Sequence, residues 1–235
     1  MAYATALKRP IEYPEDDGEP LSDNTLQFRW IMTIQGGLDA LFVQNPDVFV
    51  AGNLLWYPVE GDNATRAAPD AMVVFGRSKG ERGSYRQWDE GGIGPQVVFE
   101  VNSPGNRPNE IVRKFRFYDR FGVEEYYIYD PDKHLLAGYL RRGTILEEIE
   151  NMAGWVSPRL GIRFEMTADE LEIFRPDGRR FVTYLELAEE ADIQRQRADK
   201  EQKLAELERR RAEKERERAE QLSEQLRKLG VDPNR

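Results

Sequence analysis

The segment Val97-Val98-Phe99-Glu100-Val101-Asn102-Ser103-Pro104 places an ionisable carboxylate inside an otherwise apolar stretch. Consecutive valine and phenylalanine residues predict a strand that is covered on both faces, as at the centre of an α/β sheet. Because an unpaired carboxylate is costly to bury, Glu100 should be tied to a cation, a metal ion or an edge position. Glu100 is therefore a candidate site residue.

A second candidate, Lys114, lies on a predicted helix from about Asn109 to Phe121. Lys114 leans toward the buried face of this helix, whereas the arginines around it point away. Glu110 precedes it by one helical turn and could bond to it or orient it. The buried face is predicted from the helical spacing of Ile111, Phe115 and Tyr118.

A third candidate, Asp70, opens an apolar run that predicts a strand, and Pro69 suits the first residue of a strand. Two acids at the ends of neighbouring strands could share one hard cation, which prefers carboxylate oxygens and keeps several waters. An ammonium group beside the cation could stabilise charge on a phosphate or orient the attacking water. Asp70, Glu100 and Lys114 are thus the minimum set for metal-assisted phosphodiester hydrolysis.

The motifs that contain these residues resemble the Uma-two family of restriction endonuclease-like proteins, which is grouped with the PD-(D/E)XK nuclease superfamily. The resemblance covers roughly Glu15 to Ile173. It implies an α/β fold with a central mixed sheet flanked by helices, and DNA as the substrate. The motifs are Pro69-Asp70, then Phe99-Glu100-Val101-Asn102-Ser103-Pro104, then Glu110-x-x-x-Lys114-x-x-x-Tyr118-x-x-x-Gly122-Val123-x-Glu125-Tyr126-Tyr127-Ile128-x-Asp130-Pro131.

The resemblance also implies roles for individual residues. Asp70 and Glu100 would bind Mg²⁺ or Mn²⁺, and the backbone carbonyl of Val101 would complete the coordination. Lys114 would position water or stabilise the pentacovalent phosphate. It stands in for the lysine that usually follows the second acid by two residues, where this chain has Asn102.

Two further positions depart from the family pattern. Gln27 occupies the place of a histidine early in the first long helix, and Gln27 or Gln35 is expected to orient the site. Glu110 stands where an aspartate is usual. These departures bear on metal affinity and turnover more than on the fold.

Composition predicts one globular domain with a polar appendage, since 40% of the 235 residues are hydrophobic and 33% are charged. The chain has no cysteine, which excludes disulfides and thiolate metal sites and fits a cytoplasmic location. No stretch is apolar enough for a membrane span, so no membrane partner is expected.

The net charge of −9 opposes DNA binding unless a local basic groove exists. The same cations can equally be read as solvated loop charges. The candidates for the groove are Arg77, Lys79, Arg82, Arg86, Arg107 and Arg113.

The chain divides into four predicted segments: an irregular lead-in (1–21), the nuclease-like domain (22–184), a long charged helix (185–229) and a disordered tail (230–235). Ser22 or Asp23 is expected to cap a helix that runs to about Val43. A strand is expected from Asp47 to Tyr57, and the charged loop before Gln96 is a substrate flap or disordered. Hairpins after Leu135 should extend the sheet, through Leu135 to Leu140, Ile145 to Glu150 and Arg163 to Met166.

The charged helix has two interpretations. Apolar residues fit a heptad seam, which favours a coiled coil and a homodimer, although only the last turns of the seam are fully apolar. The seam residues are Ala198, Ala205, Ala212, Ala219, Leu222, Leu226 and Leu229. Glutamates occupy the alternate seam positions, which equally favours a single helix stabilised by Glu–Arg pairs.

The main site also has an alternative interpretation. Glu100 and Lys114 could form an inward ion pair that binds no metal. The chain would then be a catalytically silent interaction module, or a structural dimer with a vestigial front domain. The metal site requires the strands of Asp70 and Glu100 to be neighbours.

Overall fold

The computed structural model describes residues 11–16, 18, 22, 24–105 and 107–228. Most of the predicted lead-in, the candidate cap Asp23, the helix end at Leu229 and the tail 230–235 lie outside these residues. In chain order the elements are α1 (Thr25–Leu41), β1 (Val48–Ala51), β2 (Trp56–Tyr57), β3 (Ala71–Phe75), β4 (Tyr85–Arg86), β5 (Val97–Val101), α2 (Pro108–Arg120), β6 (Glu125–Asp130), β7 (Leu135–Arg142), β8 (Ile145–Glu148), β9 (Arg163–Met166), β10 (Leu171–Phe174) and α3 (Tyr184–Lys228).

Six strands form a mixed sheet in the order β1-β3-β5-β6-β7-β8. Strands β5 and β6 are parallel, and α2 makes the crossover between them, whereas the other neighbours are antiparallel. Trp30, Ile34 and Leu38 of α1 pack in one apolar layer, and Tyr118 of α2 packs in the other. This arrangement confirms the predicted α/β fold with a central mixed sheet flanked by helices.

Strand β5 lies inside the sheet, and all five of its residues are buried. Val97, Phe99 and Val101 belong to the layer that contains α1, and Val98 belongs to the layer that contains α2. Because side chains alternate along a strand, Glu100 points to the same side as Val98, toward α2. The apolar run around Glu100 therefore marks a central strand, as predicted.

The first helix begins later than the predicted cap. Asn24, rather than Ser22, is the N-cap residue, and its side chain accepts a hydrogen bond of 2.8 Å from the backbone N–H of Gln27. The helix ends at Leu41, two residues before the predicted Val43. Asn and Ser are almost equally good caps, so local sequence alone does not separate them.

The predicted strand from Asp47 to Tyr57 is two strands. Asn53, at a φ of 49°, interrupts the extended conformation between β1 and β2. Strand β2 pairs with β4 in a separate, small parallel sheet. The charged loop before Gln96 contains β4 and is anchored by the buried Tyr85, whose hydroxyl donates to the carbonyl of Ile93 (2.7 Å). The prediction of a disordered loop is therefore wrong.

The predicted hairpins are confirmed in part. Strands β7 and β8 extend the central sheet. The predicted strand from Arg163 to Met166 forms, but it pairs with β10 in a separate two-stranded sheet. The prediction that it extends the central sheet is wrong.

The chain separates into two compact units between Thr183 and Tyr184. The second unit contains α3, whose side chains are exposed along nearly all of its length. Arg209, Arg210 and Arg216 form ion pairs with glutamates one turn away. None of the helices in the described part of the chain is both long and apolar enough to cross a membrane.

Candidate functional site

The sheet brings Asp70 and Glu100 side by side. Ala71 of β3 lies opposite Phe99 of β5 in an antiparallel pair, so the next positions along, Asp70 and Glu100, are also opposite each other. The two residues are only 8% and 4% exposed. The required adjacency of the two strands is thus confirmed.

Helix α2 supplies two partners for Glu100. The Lys114 ammonium lies 2.6 Å from Glu100 Oε2, and the Tyr118 hydroxyl donates to Glu100 Oε1 at 2.5 Å. The two residues are one helical turn apart, so they reach the same carboxylate from one face of the helix. Glu110 lines the same pocket, but Lys114 bonds to Glu100 instead.

The backbone of Val101 links the other side of the site. Its N–H donates to Asp70 Oδ2 at 2.6 Å, and its carbonyl accepts from the side-chain amide of Gln27 at 2.7 Å. Gln27 is buried in the first turn of α1 and lines the pocket. Gln35 is not among the lining residues, so Gln27 alone fits the predicted orienting role.

These groups surround a cavity of about 30 Å³. A water molecule needs at least about 10–15 Å³ of such space, so the cavity has room for a cation and a water ligand. The lining includes Gln27, Asp70, Glu100, Val101, Glu110 and Lys114.

The surroundings of the cavity shift the pKa of Asp70. Burial, and then the negative charge of Glu100, raise the pKa of Asp70 to about 8, while Lys114 and the Val101 N–H act in the opposite direction. Burial lowers the pKa of Lys114, but Glu100 and Asp70 outweigh it, so the net shift is upward and Lys114 stays charged. Burial and Glu100 together raise the pKa of the Tyr118 hydroxyl well above its usual value, which keeps it a proton donor.

The donor set suits a hard divalent cation. Two adjacent carboxylates repel each other unless a proton or a metal ion compensates, and their oxygens are the ligands that Mg²⁺ and Mn²⁺ prefer. The Val101 carbonyl keeps a second lone pair beyond its bond to Gln27. Within the described residues, no three or more His, Cys, Asp or Glu side chains cluster as a metal site.

Sequence reasoning missed the polar role of Tyr118, which was assigned only to the apolar face of its helix. The available signal was its spacing of four residues from Lys114, which places the two side chains on one face. Its ring does pack in the apolar layer, but its hydroxyl reaches Glu100.

The six candidate cations of the basic groove differ in whether they form ion pairs. Arg82 pairs with Glu90 at 2.6 Å, and Arg86 pairs with Asp89 at 3.1 Å. The remaining four make no ion pair with any residue that the structure describes: Arg77, Lys79, Arg107 and Arg113.

Comparison with known proteins places these residues in a family context. A family model named Uma2, with the description "Putative restriction endonuclease", matches residues 32–173, which include Asp70, Glu100, Lys114 and Tyr118. Among solved structures, one described as a "putative nuclease belonging to DUF820" from Anabaena variabilis ATCC 29413 is 14% identical, with a TM-score of 0.42. That match covers 57% of this chain and 73% of the other. No curated protein matches this chain.

Proposed function

The chain belongs to the Uma2 family of restriction endonuclease-like proteins, and from this premise we propose that it is a metal-dependent endonuclease that hydrolyses phosphodiester bonds in DNA. One observation carries the proposal. Asp70 and Glu100 lie opposite each other on neighbouring strands, and a lysine ammonium lies 2.6 Å from the second acid.

In this proposal Asp70, Glu100 and the Val101 carbonyl would hold Mg²⁺ or Mn²⁺. The cation, when bound, would lower the pKa of a water ligand and neutralise charge on the phosphate. Asp70 would lose the proton that its raised pKa lets it keep near neutral pH, because binding a cation requires the ionised carboxylate. Gln27 would fix the direction of the Val101 carbonyl.

Lys114 would act on the phosphate side of the pocket. Its ammonium remains protonated, so it can stabilise negative charge that develops on the phosphate or orient a water molecule. The Lys114 side chain is 22% exposed, whereas that of Glu100 is 5% exposed, so the lysine is the more accessible partner of the pair.

The unpaired cations support DNA as the substrate. Arg107 is the N-cap residue of α2, and Arg113 lies next to Lys114 in the same helix. Contacts of this kind with phosphates are needed because the chain has a net charge of −9. Their strength should fall as salt rises.

The test is cleavage of supercoiled and linear DNA by the purified full-length protein with Mg²⁺ or Mn²⁺, with Asp70→Ala in parallel. We expect cleavage by the wild type, none in EDTA, and a loss of about 100-fold or more in Asp70→Ala, because a cation ligand is removed. Asp132→Ala, in an exposed turn, is the matched control and should keep full activity.

One observation favours a second candidate function. Glu100 is already neutralised by Lys114 and bonded by Tyr118, so this part of the site is satisfied as an ion pair. A catalytically silent interaction module would be consistent with that arrangement. Equal inactivity of the wild type and Asp70→Ala on both DNA forms would favour this module and contradict the nuclease.

A further inference from the structure

We propose that Tyr118 is a positioning residue that holds Glu100 Oε1 against the protein, so that Oε2 is the oxygen offered to the cation. The inference rests on the proposed function, because it assigns a task within the same metal site. It concerns a residue that does not line the cavity.

The two oxygens of Glu100 have different surroundings. Oε1 accepts from the hydroxyl of Tyr118, a residue that is 0% exposed and does not line the cavity. Oε2 accepts from Lys114, which does line the cavity and is partly exposed. Oε2 is therefore the oxygen that an incoming cation can reach.

Aromatic neighbours fix the ring of Tyr118. Trp56 is stacked on it, with ring centroids 6.4 Å apart and planes 4° apart, and Tyr126 meets it edge-on at 5.0 Å. Such packing leaves the hydroxyl little freedom to swing away from Glu100.

Asp70 is held in the same way. Its Oδ2 accepts from the backbone N–H of Val101, which is part of β5 and cannot rotate independently. Each of the two acids thus has one oxygen anchored to the protein. This arrangement fixes the carboxylates before a ligand arrives, and partners of this kind typically change metal affinity by about 10–100-fold.

Glu100 Oε2, the oxygen assigned to the cation, is also the oxygen that Lys114 bonds to. If the cation takes Oε2, it competes with the lysine ammonium for the same atom, whereas it does not compete with Tyr118. Removal of the lysine should therefore tighten cation binding, while removal of the Tyr118 hydroxyl should weaken it.

The experiment measures Mn²⁺ binding to the full-length protein, by the electron paramagnetic resonance signal of free Mn²⁺ and by calorimetry. We expect Tyr118→Phe to raise the Kd about tenfold. Lys114→Met should lower the Kd several-fold, and Asp70→Ala should abolish binding. Tyr85→Phe is the matched control, because Tyr85 is equally buried but donates to the Ile93 carbonyl.

The outcomes separate the two proposals. Absence of Mn²⁺ binding by the wild type would contradict the metal site itself and, with it, the task of Tyr118. Binding by the wild type with a Kd for Tyr118→Phe within twofold would overturn only the positioning role. If Tyr118→Phe does not fold, Lys114→Met still decides, since an unchanged or weaker affinity would show that Oε2 is not the cation's oxygen.

Discussion

Asp70 is buried beside a second acid, an environment that disfavours its ionised form. Its pKa of about 8, raised by burial and by Glu100, lies far above the ordinary value of an aspartate, 3.8. Between about pH 4 and pH 8 the folded protein therefore binds a proton that the unfolded chain releases. Stability in the absence of metal should consequently fall as the pH rises through this window.

Asp70→Asn should remove this pH dependence, because an amide stays neutral and can donate to Glu100. In EDTA we expect the variant to match the wild type near pH 4 and to be more stable by about 5 kcal/mol near pH 8, because the gap between the folded and unfolded pKa values of Asp70 is worth about 1.4 kcal/mol per pH unit. Thermal unfolding at several pH values would show a Tm difference of about 10–20 °C at pH 8. Asp132→Asn, at an exposed position, should show no such trend; a parallel trend in both variants would contradict the prediction.

At this scale the sequence predicted that Asp70, Glu100 and Lys114 lie together, and the structure brings them together, but the bond from Tyr118 to Glu100 was not predicted. Glu100 stood out because an ionisable group interrupts an apolar strand, a conflict that only a partner can resolve. The two partners of Glu100, Lys114 and Tyr118, differ in how readily they can be predicted from the sequence. Lys114 can be singled out because it is a charged residue near the apolar face of its helix. Tyr118 cannot, because its aromatic ring also fits a core position and gives no sign that its hydroxyl bonds to Glu100.

A buried carboxylate, that of Glu125, helps to tie strand β6 to the segment that follows β8. Glu125 accepts hydrogen bonds from the backbone N–H of Arg159 (2.6 Å), from the Tyr127 hydroxyl (2.9 Å) and from the Ser157 hydroxyl. It is 1% exposed, and burial raises its pKa although these bonds oppose the shift. The attachment of β6 therefore depends on the Glu125 carboxylate, which is the acceptor in each of these hydrogen bonds.

Glu125→Gln should therefore destabilise the fold, because an amide nitrogen would face donors where the carboxylate now accepts. We expect a loss of about 2 kcal/mol, measured by urea unfolding. Mn²⁺ affinity should change less than twofold, since Glu125 pairs with Val97 at the far end of β5 from Glu100. Glu147→Gln, at an exposed position on β8, should cost less than about 0.5 kcal/mol, and an equal loss in both variants would count against the role of Glu125.

The elements that sequence predicted well are those whose pattern is set by burial. Strands β3, β5 and β6 are buried over nearly their whole length because the sheet is covered on both faces. The ends of strands and the pairing between strands were harder to predict, because they depend on residues that are distant in the sequence. Asn53 ends the first strand by its backbone conformation, and β9 pairs with β10 rather than with the central sheet, neither of which local alternation reveals.

At the scale of the whole molecule, the two units are stabilised by different interactions. The first unit has an apolar core on each side of its sheet. Helix α3 has no comparable core, and its described contacts include ion pairs such as Arg216–Glu220. Exposed pairs of this type contribute only about 0.3–0.5 kcal/mol each, so a 45-residue helix gains little from them without a partner.

The homodimer through α3 stays a prediction. The charges beside its alanine stripe (Ala198, Ala205, Ala212 and Ala219) bear on the direction of pairing, although the glutamates at the alternate seam positions would meet their own copies in a parallel pair. Arg209 and Arg216 flank the alanine stripe on one side, and Glu208 and Glu215 flank it on the other. In a parallel two-fold pair the arginine side of one copy faces the glutamate side of its partner. In an antiparallel pair arginine would face arginine, which is unfavourable.

Because the chain has no cysteine, single cysteines can report the direction of pairing. Ala198→Cys and Ala212→Cys should each form a disulfide-linked dimer in the full-length protein under mild oxidation, since a parallel pair places every stripe residue opposite itself. Lys203→Cys, on the outer face of the helix, should remain monomeric on a non-reducing gel. A dimer from only one of the two alanine positions would indicate antiparallel pairing, and dimers from neither, together with a monomeric mass by light scattering, would show that α3 is a single helix.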